Sequence, residues 1–350
     1  NYIMAKKINR RDFIKGMVGT GLSLTALNSL SFLSSCADSS HNPYNAQGLP
    51  VSYLGNTGVL IPRIVLGLGS RFCHIESEDE SEEMLNYALD NGLYYWDTAH
   101  IYDNTIAAPP GKTKSPKHII SEERVGKVIR YRRKEVFLST KVTAREPSEA
   151  MKQIELSLKR LHTDKLDMLK IHDVSSLEDV NQMSRPGHLI DIVHRLKEEG
   201  VTRFIGYSGH SNAEAMKEMT KRGNFDSMLI AMNHWNRGND PQPREEVAIP
   251  AALAKDMGVL LMKAIRPKET IPGINIEDLV RYALCLKGPH AVVIGMDSMD
   301  VVKSNLNILR NFTELSPEEM RELANALEPF YRSENLPWMQ KNYTDGNWKL

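Results

Sequence analysis

Residues 136–172 read VFLSTKVTAREPSEAMKQIELSLKRLHTDKLDMLKIH, and the pattern within them repeats along much of the chain. Two largely apolar runs, 136–141 and 166–172, end at Lys141 and His172, and a helical pattern over 147–161 separates them. Continuous apolar runs of this length are typical of parallel strands that are buried on both faces. The segment therefore predicts a strand, a helix and a second, parallel strand.

The same alternation extends from residue 64 to residue 309 and predicts an α/β fold of eight strand–helix units. The predicted strands are 64–68, 93–97, 136–141, 166–172, 204–208, 227–233, 258–264 and 291–295. The predicted helices are 78–91, 122–131, 147–161, 189–199, 213–221, 245–257, 276–286 and 299–309. Eight units over roughly 250 residues match a closed (β/α)8 barrel, the TIM barrel. A doubly wound open sheet is the competing layout, but no G-x-G-x-x-G motif opens any predicted unit.

Two further elements flank the predicted barrel. Residues 51–62 predict a hairpin with Gly55-Asn56-Thr57-Gly58 at its turn, which could close the bottom of the barrel. The capping signal Ser316-Pro317-Glu318-Glu319 predicts an extra helix after the last unit. We therefore assign residues 51–350 to one barrel domain with a C-terminal extension.

The composition is that of an ordinary globular protein, with 350 residues, 41% of them hydrophobic, and a formal net charge of zero. This charge balance does not indicate a nucleic-acid partner. The three cysteines, Cys36, Cys73 and Cys285, form no C-x-x-C motif, so neither an iron–sulfur cluster nor a zinc knuckle is supported. We expect no metal site.

Residues 1–35 have the composition of an export signal. A basic stretch precedes residues 16–33, which are mildly apolar but too interrupted by polar residues for a stable membrane span. A frayed amphipathic helix is the alternative. Residues 9–15, NRRDFIK, resemble the twin-arginine export motif, and Leu33-Ser34-Ser35-Cys36 resembles a bacterial lipobox.

This second resemblance implies a lipid anchor on Cys36 after cleavage, and a bacterial protein that is periplasmic or anchored to a membrane. The twin-arginine export machinery would then be a partner. Residues 36–50 are predicted to form a flexible tether between the anchor and the barrel.

Four polar residues fall where predicted strands end, which is where reacting residues lie in such barrels. Asp97 ends the second strand, Tyr102 follows in the next loop, Lys141 ends the third strand and His172 ends the fourth. Because buried charges are costly unless paired, we expect Asp97 and Lys141 on adjacent strands to pair. Taken singly, each residue has a plainer interpretation: a packed loop tyrosine, a structural ion pair and a core histidine.

Together these segments resemble the aldo-keto reductase family. The segments are D-T-A-x-x-Y at 97–102, S-T-K at 139–141 and I-H at 171–172, and further matches span about residues 51–310. The resemblance implies a nicotinamide-dependent oxidoreductase, with NAD or NADP as cofactor and a small carbonyl or alcohol as substrate. Tyr102 would be the general acid, and the Lys141 ammonium would strengthen it by favouring the phenolate. Asp97 would neutralise Lys141, and His172 would orient the carbonyl.

The resemblance also implies a set of cofactor-binding residues at the strand ends. They are Gly69, Ser208, Asn233, Met262, Lys263, Gly295, Met296, Ser298 and Asn305, and His234 and Trp235 are expected to line the substrate pocket. Gly209 stands where the family commonly has Asn. The Met262–Lys263 pair resembles a subgroup that often carries an iron–sulfur domain, whose cysteines this chain lacks.

The adenosine end departs from the family pattern. Gly295 and Val301 stand where NADPH-selective members have basic residues, and Asp297 adds a negative charge. Recognition of a 2′-phosphate needs Arg or Lys, so strict preference for NADPH is not implied. Residues 103–120 form an insertion, which is either a lid over the pocket or a surface loop.

Export would remove the protein from the free nicotinamide pool. We therefore expect a tightly held cofactor and a sugar or keto-sugar substrate. A nicotinamide-binding sensor or partner subunit without turnover is the alternative, and a barrel isomerase or lyase with a Schiff base on Lys141 is a third hypothesis.

Overall fold

The computed structural model describes residues 43–106, 116–232, 244–265 and 273–328. The strands are β1 Val51–Tyr53, β2 Leu60–Pro62, β3 Ile64–Gly67, β4 Tyr95–Asp97, β5 Asp103–Ile106, β6 Lys117–Ile120, β7 Phe137–Val142, β8 Leu166–Ile171, β9 Thr202–Gly209, β10 Ser227–Ala231, β11 Gly258–Met262 and β12 Ala291–Gly295. The helices are α1 Glu78–Asp90, α2 Ser121–Arg132, α3 Pro147–Arg160, α4 Leu177–Met183, α5 Leu189–Glu198, α6 Ala213–Arg222, α7 Ile249–Leu253, α8 Ile276–Cys285, α9 Met299–Arg310 and α10 Pro317–Leu327.

Eight parallel strands close into one barrel in the order β3, β4, β7, β8, β9, β10, β11 and β12, and β12 pairs with β3. All eight predicted strands occur in this barrel, so the predicted TIM-barrel architecture is confirmed. Every residue of β7 and β8 is buried, as expected for strands covered on both faces. The seventh strand ends at Met262 rather than at residue 264, because Lys263 has a φ of 63°, which is not an extended conformation.

The eight predicted helices are present, and the sixth is less regular than predicted. A π-helical turn, Arg244–Ala248, precedes the short helix α7 where the sequence predicts one helix over 245–257. Pro250 has no N–H and is tolerated only in the first turn of an α-helix, so the regular hydrogen bonding starts anew there. The extra helix α10 is confirmed with its capping box, in which Ser316 and Glu319 exchange hydrogen bonds.

The N-terminal hairpin lies at the amino-terminal end of the barrel, as predicted. Strands β1 and β2 pair antiparallel, and the N–H of Asn56 in the turn donates to the carbonyl of Asp256 at 2.8 Å. Leu54 packs where a side chain on Gly258 would stand, since a Cβ there would come within 2.3 Å of Leu54 Cδ1. Gly258 opens β11, so the hairpin covers the bottom of the barrel.

The predicted tether over residues 36–50 has to be shortened, because residues 43–50 pack on the barrel. The ring of Tyr44 stacks on Tyr94 with 5.1 Å between centroids, and its hydroxyl donates to Asp167 Oδ1 at 2.6 Å. Leu49 is also buried. The sequence shows few apolar residues here, but one tyrosine with a buried acceptor is enough to hold the segment. The predicted signal, Cys36 and the rest of the tether lie outside the described residues.

The insertion at 103–120 begins and ends as an antiparallel pair, β5 with β6. Lys117 fixes this pair to the start of α1, because its ammonium donates to the carbonyl of Glu76 at 2.6 Å and lies 3.0 Å from Glu78 Oε1. Residues 107–115 are outside the described ranges. Among the helices that are described, none combines the length and the apolar character needed to cross a membrane.

Candidate active site

The barrel brings the four predicted catalytic residues together at the carboxyl ends of its strands. Lys141 Nζ lies 2.6 Å from Asp97 Oδ2 and 3.2 Å from the hydroxyl of Tyr102. The rings of Tyr102 and His172 are perpendicular, with 5.6 Å between their centroids. All four side chains are buried. The expected ion pair between Asp97 and Lys141 is therefore present, and the Tyr102 hydroxyl accepts a hydrogen bond from Lys141.

Backbone hydrogen bonds hold Tyr102 over this ion pair. Its N–H donates to the carbonyl of Ala99, and its carbonyl accepts the N–H of Ser121 at the start of α2. The phenol ring also lies against Gly69 in the loop after β3, where a Cβ would be only 3.5 Å from the ring. Gly69, a predicted cofactor residue, thus lies directly beside the predicted acid.

Asp97 is bound by two lysines, and the second one, Lys170, is absent from the sequence prediction. Lys170 Nζ lies 2.5 Å from Asp97 Oδ1, and the hydroxyl of Ser139 donates to the same oxygen at 2.9 Å. Burial raises the pKa of Asp97, but Lys141 and Lys170 outweigh it and lower the pKa to about 2. We call Asp97, Ser139, Lys141, Lys170 and Tyr102 the inner cluster.

The signal that could have revealed Lys170 is a lysine that shares one face of its strand with the apolar residues Leu166 and Met168. Such a residue must find a counter-ion, because an unpaired buried charge is very costly. The partner comes from β4, about seventy residues earlier in the chain, and only the closed barrel places it there.

A second polar cluster lies on the opposite side of β7, between the barrel and its helices. Glu122 is fully buried and accepts a hydrogen bond from Thr140 Oγ1 at 2.6 Å. Its other oxygen lies 3.5 Å from Arg160 and 4.0 Å from His100. Burial raises the pKa of Glu122, against the hydrogen bond from Thr140 and the charge of Arg160. We call these four residues the outer cluster.

Ser208 closes β9 beside the tetrad and is fully buried. Its hydroxyl oxygen accepts the N–H of Asp173 at 3.0 Å, which leaves the hydroxyl hydrogen able to donate. A Cβ on the next residue, Gly209, would lie 2.7 Å from Met216 Sδ, so a side chain there would require Met216 to move. Asp173 itself has a φ of 55° and holds the ring of His210 at 2.7 Å, a pair that the sequence prediction missed.

The predicted adenosine-end residues lie around the start of α9. Ser298 caps this helix by accepting the N–H of Val301, and Met296 is buried beside it. Asn305 is buried and donates to the carbonyl of Val301 at 2.9 Å. No other described residue forms a hydrogen bond with its Oδ1 atom, which is therefore available to an N–H donor of a ligand.

A cation does reach this end of the barrel, from a different strand than the family pattern suggests. Arg71, in the loop after β3, pairs with Asp297 at 2.5 Å, and its aliphatic part passes over Gly295. The sequence places these two residues 226 positions apart, so only barrel closure between β12 and β3 brings them together. The Asp297 charge is thus largely neutralised.

Met262 is buried at the end of β11, next to Lys263. Asn233, His234 and Trp235 lie outside the described residues, as does Cys36. Burial raises the pKa of Cys73 to about 12, so its thiol is not a nucleophile at neutral pH. In the described ranges, no group of three His, Cys, Asp or Glu side chains could hold a metal ion.

Comparisons with known proteins identify the family of this chain. The model of the Aldo/keto reductase family matches residues 63–266. The uncharacterized oxidoreductase YqkF of Bacillus subtilis is 28% identical over 184 residues, which are 49% of this chain and 53% of that protein. An L-galactose dehydrogenase of Arabidopsis thaliana is 24% identical over 329 residues, which are 81% of this chain and 95% of that protein. The chain thus spans about half the length of the first relative and nearly all of the second.

Solved structures share the fold. An aldo/keto reductase from Klebsiella pneumoniae, solved in complex with NADP and acetate, is 24% identical with a TM-score of 0.58, and the match covers 80% of this chain and 96% of that one. The holo form of an aldo-keto reductase from Bacillus halodurans is 21% identical with a TM-score of 0.61, covering 79% and 96%. With the family match over more than half of its length, the chain belongs to the aldo/keto reductase family.

Proposed function

We propose that this protein transfers a hydride between a nicotinamide dinucleotide, NAD or NADP, and a carbonyl or alcohol substrate. The observation that carries the proposal is the position of Lys141 Nζ, between Asp97 Oδ2 at 2.6 Å and the Tyr102 hydroxyl at 3.2 Å. An ammonium held against a phenol at the mouth of a barrel is an arrangement for moving a proton.

Each residue of the tetrad then has one task. Tyr102 donates its proton to the carbonyl oxygen during reduction and recovers it during oxidation. Lys141 stabilises negative charge on the phenol oxygen, and Asp97 keeps Lys141 protonated and in place. His172, whose ring is perpendicular to Tyr102, orients the carbonyl by a hydrogen bond.

The residues present fit a nicotinamide dinucleotide, which would supply or accept the hydride when bound. Ser208 can donate its hydroxyl hydrogen at one end of the proposed site, and Asn305 Oδ1 can accept a hydrogen bond at the other. Gly69 lies beside the Tyr102 ring, and the side chain of Arg71 passes over Gly295. The NADP complex of the Klebsiella relative supports the assignment. Met262 and Lys263 would lie along this site, in keeping with the Met-Lys subgroup.

We infer no strict selection for the 2′-phosphate of NADP. The cation at the adenosine end, Arg71, already pairs with the carboxylate of Asp297. A phosphate placed there would have to compete with that carboxylate, whereas a ribose hydroxyl could donate to it.

We also propose that the protein is exported by the twin-arginine machinery and anchored through lipid on Cys36, with a tightly held cofactor and a sugar or keto-sugar substrate. The motifs at 9–15 and 33–36 support the location, and the likeness to L-galactose dehydrogenase supports the substrate class. Intact mass of the membrane-associated protein tests the anchor, since Cys36→Ser should lose the lipid mass. An unmodified wild type that retains residues before Cys36 would contradict the anchor.

The hydride-transfer proposal is tested by comparing wild type with Tyr102→Phe on aldehydes, aldoses and keto-sugars, with NADH and with NADPH. We expect the variant to lose about 10²- to 10⁴-fold in the rate of reduction, the usual contribution of a positioned acid. Quenching of cofactor fluorescence should show unchanged dinucleotide binding. A wild type no faster than the variant on every substrate would instead favour a nicotinamide-binding sensor or partner subunit.

A further inference from the structure

Lys170 is a second buried lysine on the carboxylate that holds Lys141. Its ammonium lies 2.5 Å from Asp97 Oδ1, while that of Lys141 lies 2.6 Å from Oδ2. Lys141 on β7 and Lys170 on β8 are partners in the strand register, so both side chains point to the inner face of the barrel. One carboxylate thus bridges two ammonium groups.

The hydrogen bonds around Lys170 are those of a protonated amine. An ammonium has three N–H donors and no acceptor. Lys170 Nζ has three oxygen neighbours, namely Asp97 Oδ1, the Ser139 hydroxyl at 2.9 Å and the Tyr95 hydroxyl at 3.1 Å. Ser139 donates its own hydrogen to Asp97, so its oxygen must accept from Lys170. Burial lowers the pKa of Lys170, and Asp97 opposes that shift.

The inner cluster therefore carries a net charge of about +1, since two ammonium groups face one carboxylate. Asp97 and Lys141 without Lys170 would be neutral. This excess charge is buried, and buried charges interact more strongly than exposed ones because water screens them less.

The other described groups that face Lys170 do not cancel this charge. β4 contributes Tyr95, whose pKa is raised by burial, so it is a neutral phenol. β9 contributes backbone at Gly206, where a Cβ would lie 3.4 Å from the Lys170 side chain. The carboxylate three residues earlier on β8 is Asp167, and it is paired with two arginines, Arg133 and Arg203. The titratable side chain packed against the Tyr102 ring is His172, with 5.6 Å between the ring centroids, and an imidazole cannot supply a negative charge.

We propose that Lys170 is a positioning residue for proton transfer, which acts through Asp97 and Lys141 and makes Tyr102 release its proton at a lower pH. Because Lys170 shares the carboxylate, Lys141 keeps more of its attraction for negative charge on the phenol oxygen. Removing the charge of Lys170 should therefore move the ionisation of Tyr102 to higher pH. The inference rests on the proposed function for the role of Tyr102, but its readout does not require turnover.

The experiment follows tyrosinate absorbance against pH in full-length protein, with the spectrum of Tyr102→Phe subtracted to isolate this one phenol. The same difference titration is repeated in the Lys170→Gln and Lys170→Met backgrounds. Gln removes the charge and keeps a hydrogen bond to Asp97, and Met removes the charge and keeps the length. Lys165→Gln is the matched control, because Lys165 is exposed one residue before the same strand.

We expect both Lys170 variants to move the midpoint upward by about one pH unit, and the control to leave it unchanged. The pH at which the rate of carbonyl reduction falls on the alkaline side should move by the same amount. Folded Lys170 variants with the wild-type midpoint would show a purely structural role and overturn the inference. Wild type alone gives a second test, because its midpoint should lie clearly below the value of about 10 for a free phenol.

A midpoint at or above that value would also contradict the inference, whether or not the Lys170 variants fold.

Failure of the two proposals can be told apart. If the Lys170 variants shift the Tyr102 midpoint but wild type reduces no carbonyl, the proposed hydride transfer is wrong. The effect of Lys170 on the ionisation of Tyr102 is then still supported. Reduction that depends on Tyr102, without a shift in the Lys170 variants, overturns only the role of Lys170.

Discussion

Two buried carboxylates lie on opposite sides of β7, and they behave in opposite ways. Asp97 belongs to the inner cluster and contacts Lys141, while Glu122 belongs to the outer cluster and contacts Thr140, the residue just before Lys141. Both are almost completely inaccessible to solvent. Yet the pKa of Asp97 is lowered to about 2, whereas that of Glu122 is raised.

The difference comes from the number and distance of cations. Burial raises the pKa of any carboxyl group, whereas close positive charges and hydrogen bonds to the carboxylate lower it. Asp97 has two ammonium groups within 2.6 Å, while Glu122 has one guanidinium at 3.5 Å. The inner carboxylate is therefore a fixed charge that serves its neighbours, and the outer one is a group that can take up a proton.

The largest effect is expected from Asp97→Asn. The change leaves two buried ammonium groups facing a neutral amide, and removal of one partner from a buried ion pair typically costs about 3–5 kcal/mol. Carbonyl reduction should fall along with stability, because Lys141 loses its counter-ion. Urea unfolding at neutral pH measures the free energy of unfolding. A loss below about 1 kcal/mol would show that Asp97 does not stabilise these two lysines.

Glu122→Gln is the same chemical change on the other side of the strand, and its effect should depend on pH. A raised folded-state pKa means that Glu122 favours the folded state below the unfolded value of 4.5, and that this contribution is lost as pH rises through the folded-state pKa. Relative to wild type, the variant should therefore gain stability between pH 4.5 and neutral pH.

Asp97 gives the opposite trend, because its lowered pKa contributes stability above 3.8 that is lost as pH falls toward 2. Urea unfolding of wild type and Glu122→Gln from about pH 2 to pH 7 measures how the free energy of unfolding of each protein changes with pH. If the stability of the two proteins changed in parallel between pH 4.5 and 7, the outer cluster would not titrate as described.

The smallest effect on stability is expected at the partly exposed pair of Arg71 and Asp297. Asp297→Asn should change the free energy of unfolding by less than about 1 kcal/mol, as is usual for a partly exposed ion pair. It should free Arg71 for a phosphate and improve binding of NADPH relative to NADH by up to about tenfold. Fluorescence titration with both dinucleotides measures this ratio. A fall in the ratio would show that Asp297 does not compete with the phosphate.

The sequence predicts those parts of this molecule that depend on one strand or one loop at a time. Asp97, Lys141 and His172 each end an apolar run, so the barrel and the tetrad could be anticipated without knowing which strands are neighbours. Lys170 could not, because its role depends on the distance to a carboxylate on another strand. The packed segment around Tyr44 was missed for a similar reason, since one ring and one hydroxyl hold it.

The pair of Arg71 and Asp297 also depends on which strands are neighbours, here β3 and β12, and therefore could not be predicted from the sequence. A search for a basic residue after β12 finds only Gly295 and Val301, because the cation that reaches this point is carried by the loop after β3. Closure of the barrel between β12 and β3 brings Arg71 to Asp297.

The start of α7 is a local exception, because Pro250 alone indicates that a regular helix cannot run unbroken from 245 to 257.

The most direct test of the proposed chemistry is a single turnover with nicotinamide dinucleotide deuterated at the transferable position. Purified wild type is mixed with an excess of an aldose or keto-sugar, and the alcohol product is examined by mass spectrometry. We expect one deuterium in the product with wild type and none, on the same timescale, with Tyr102→Phe. Equal transfer by the two proteins, or no transfer by wild type with either deuterated cofactor, would contradict the assignment of Tyr102 as the proton donor of a carbonyl reductase.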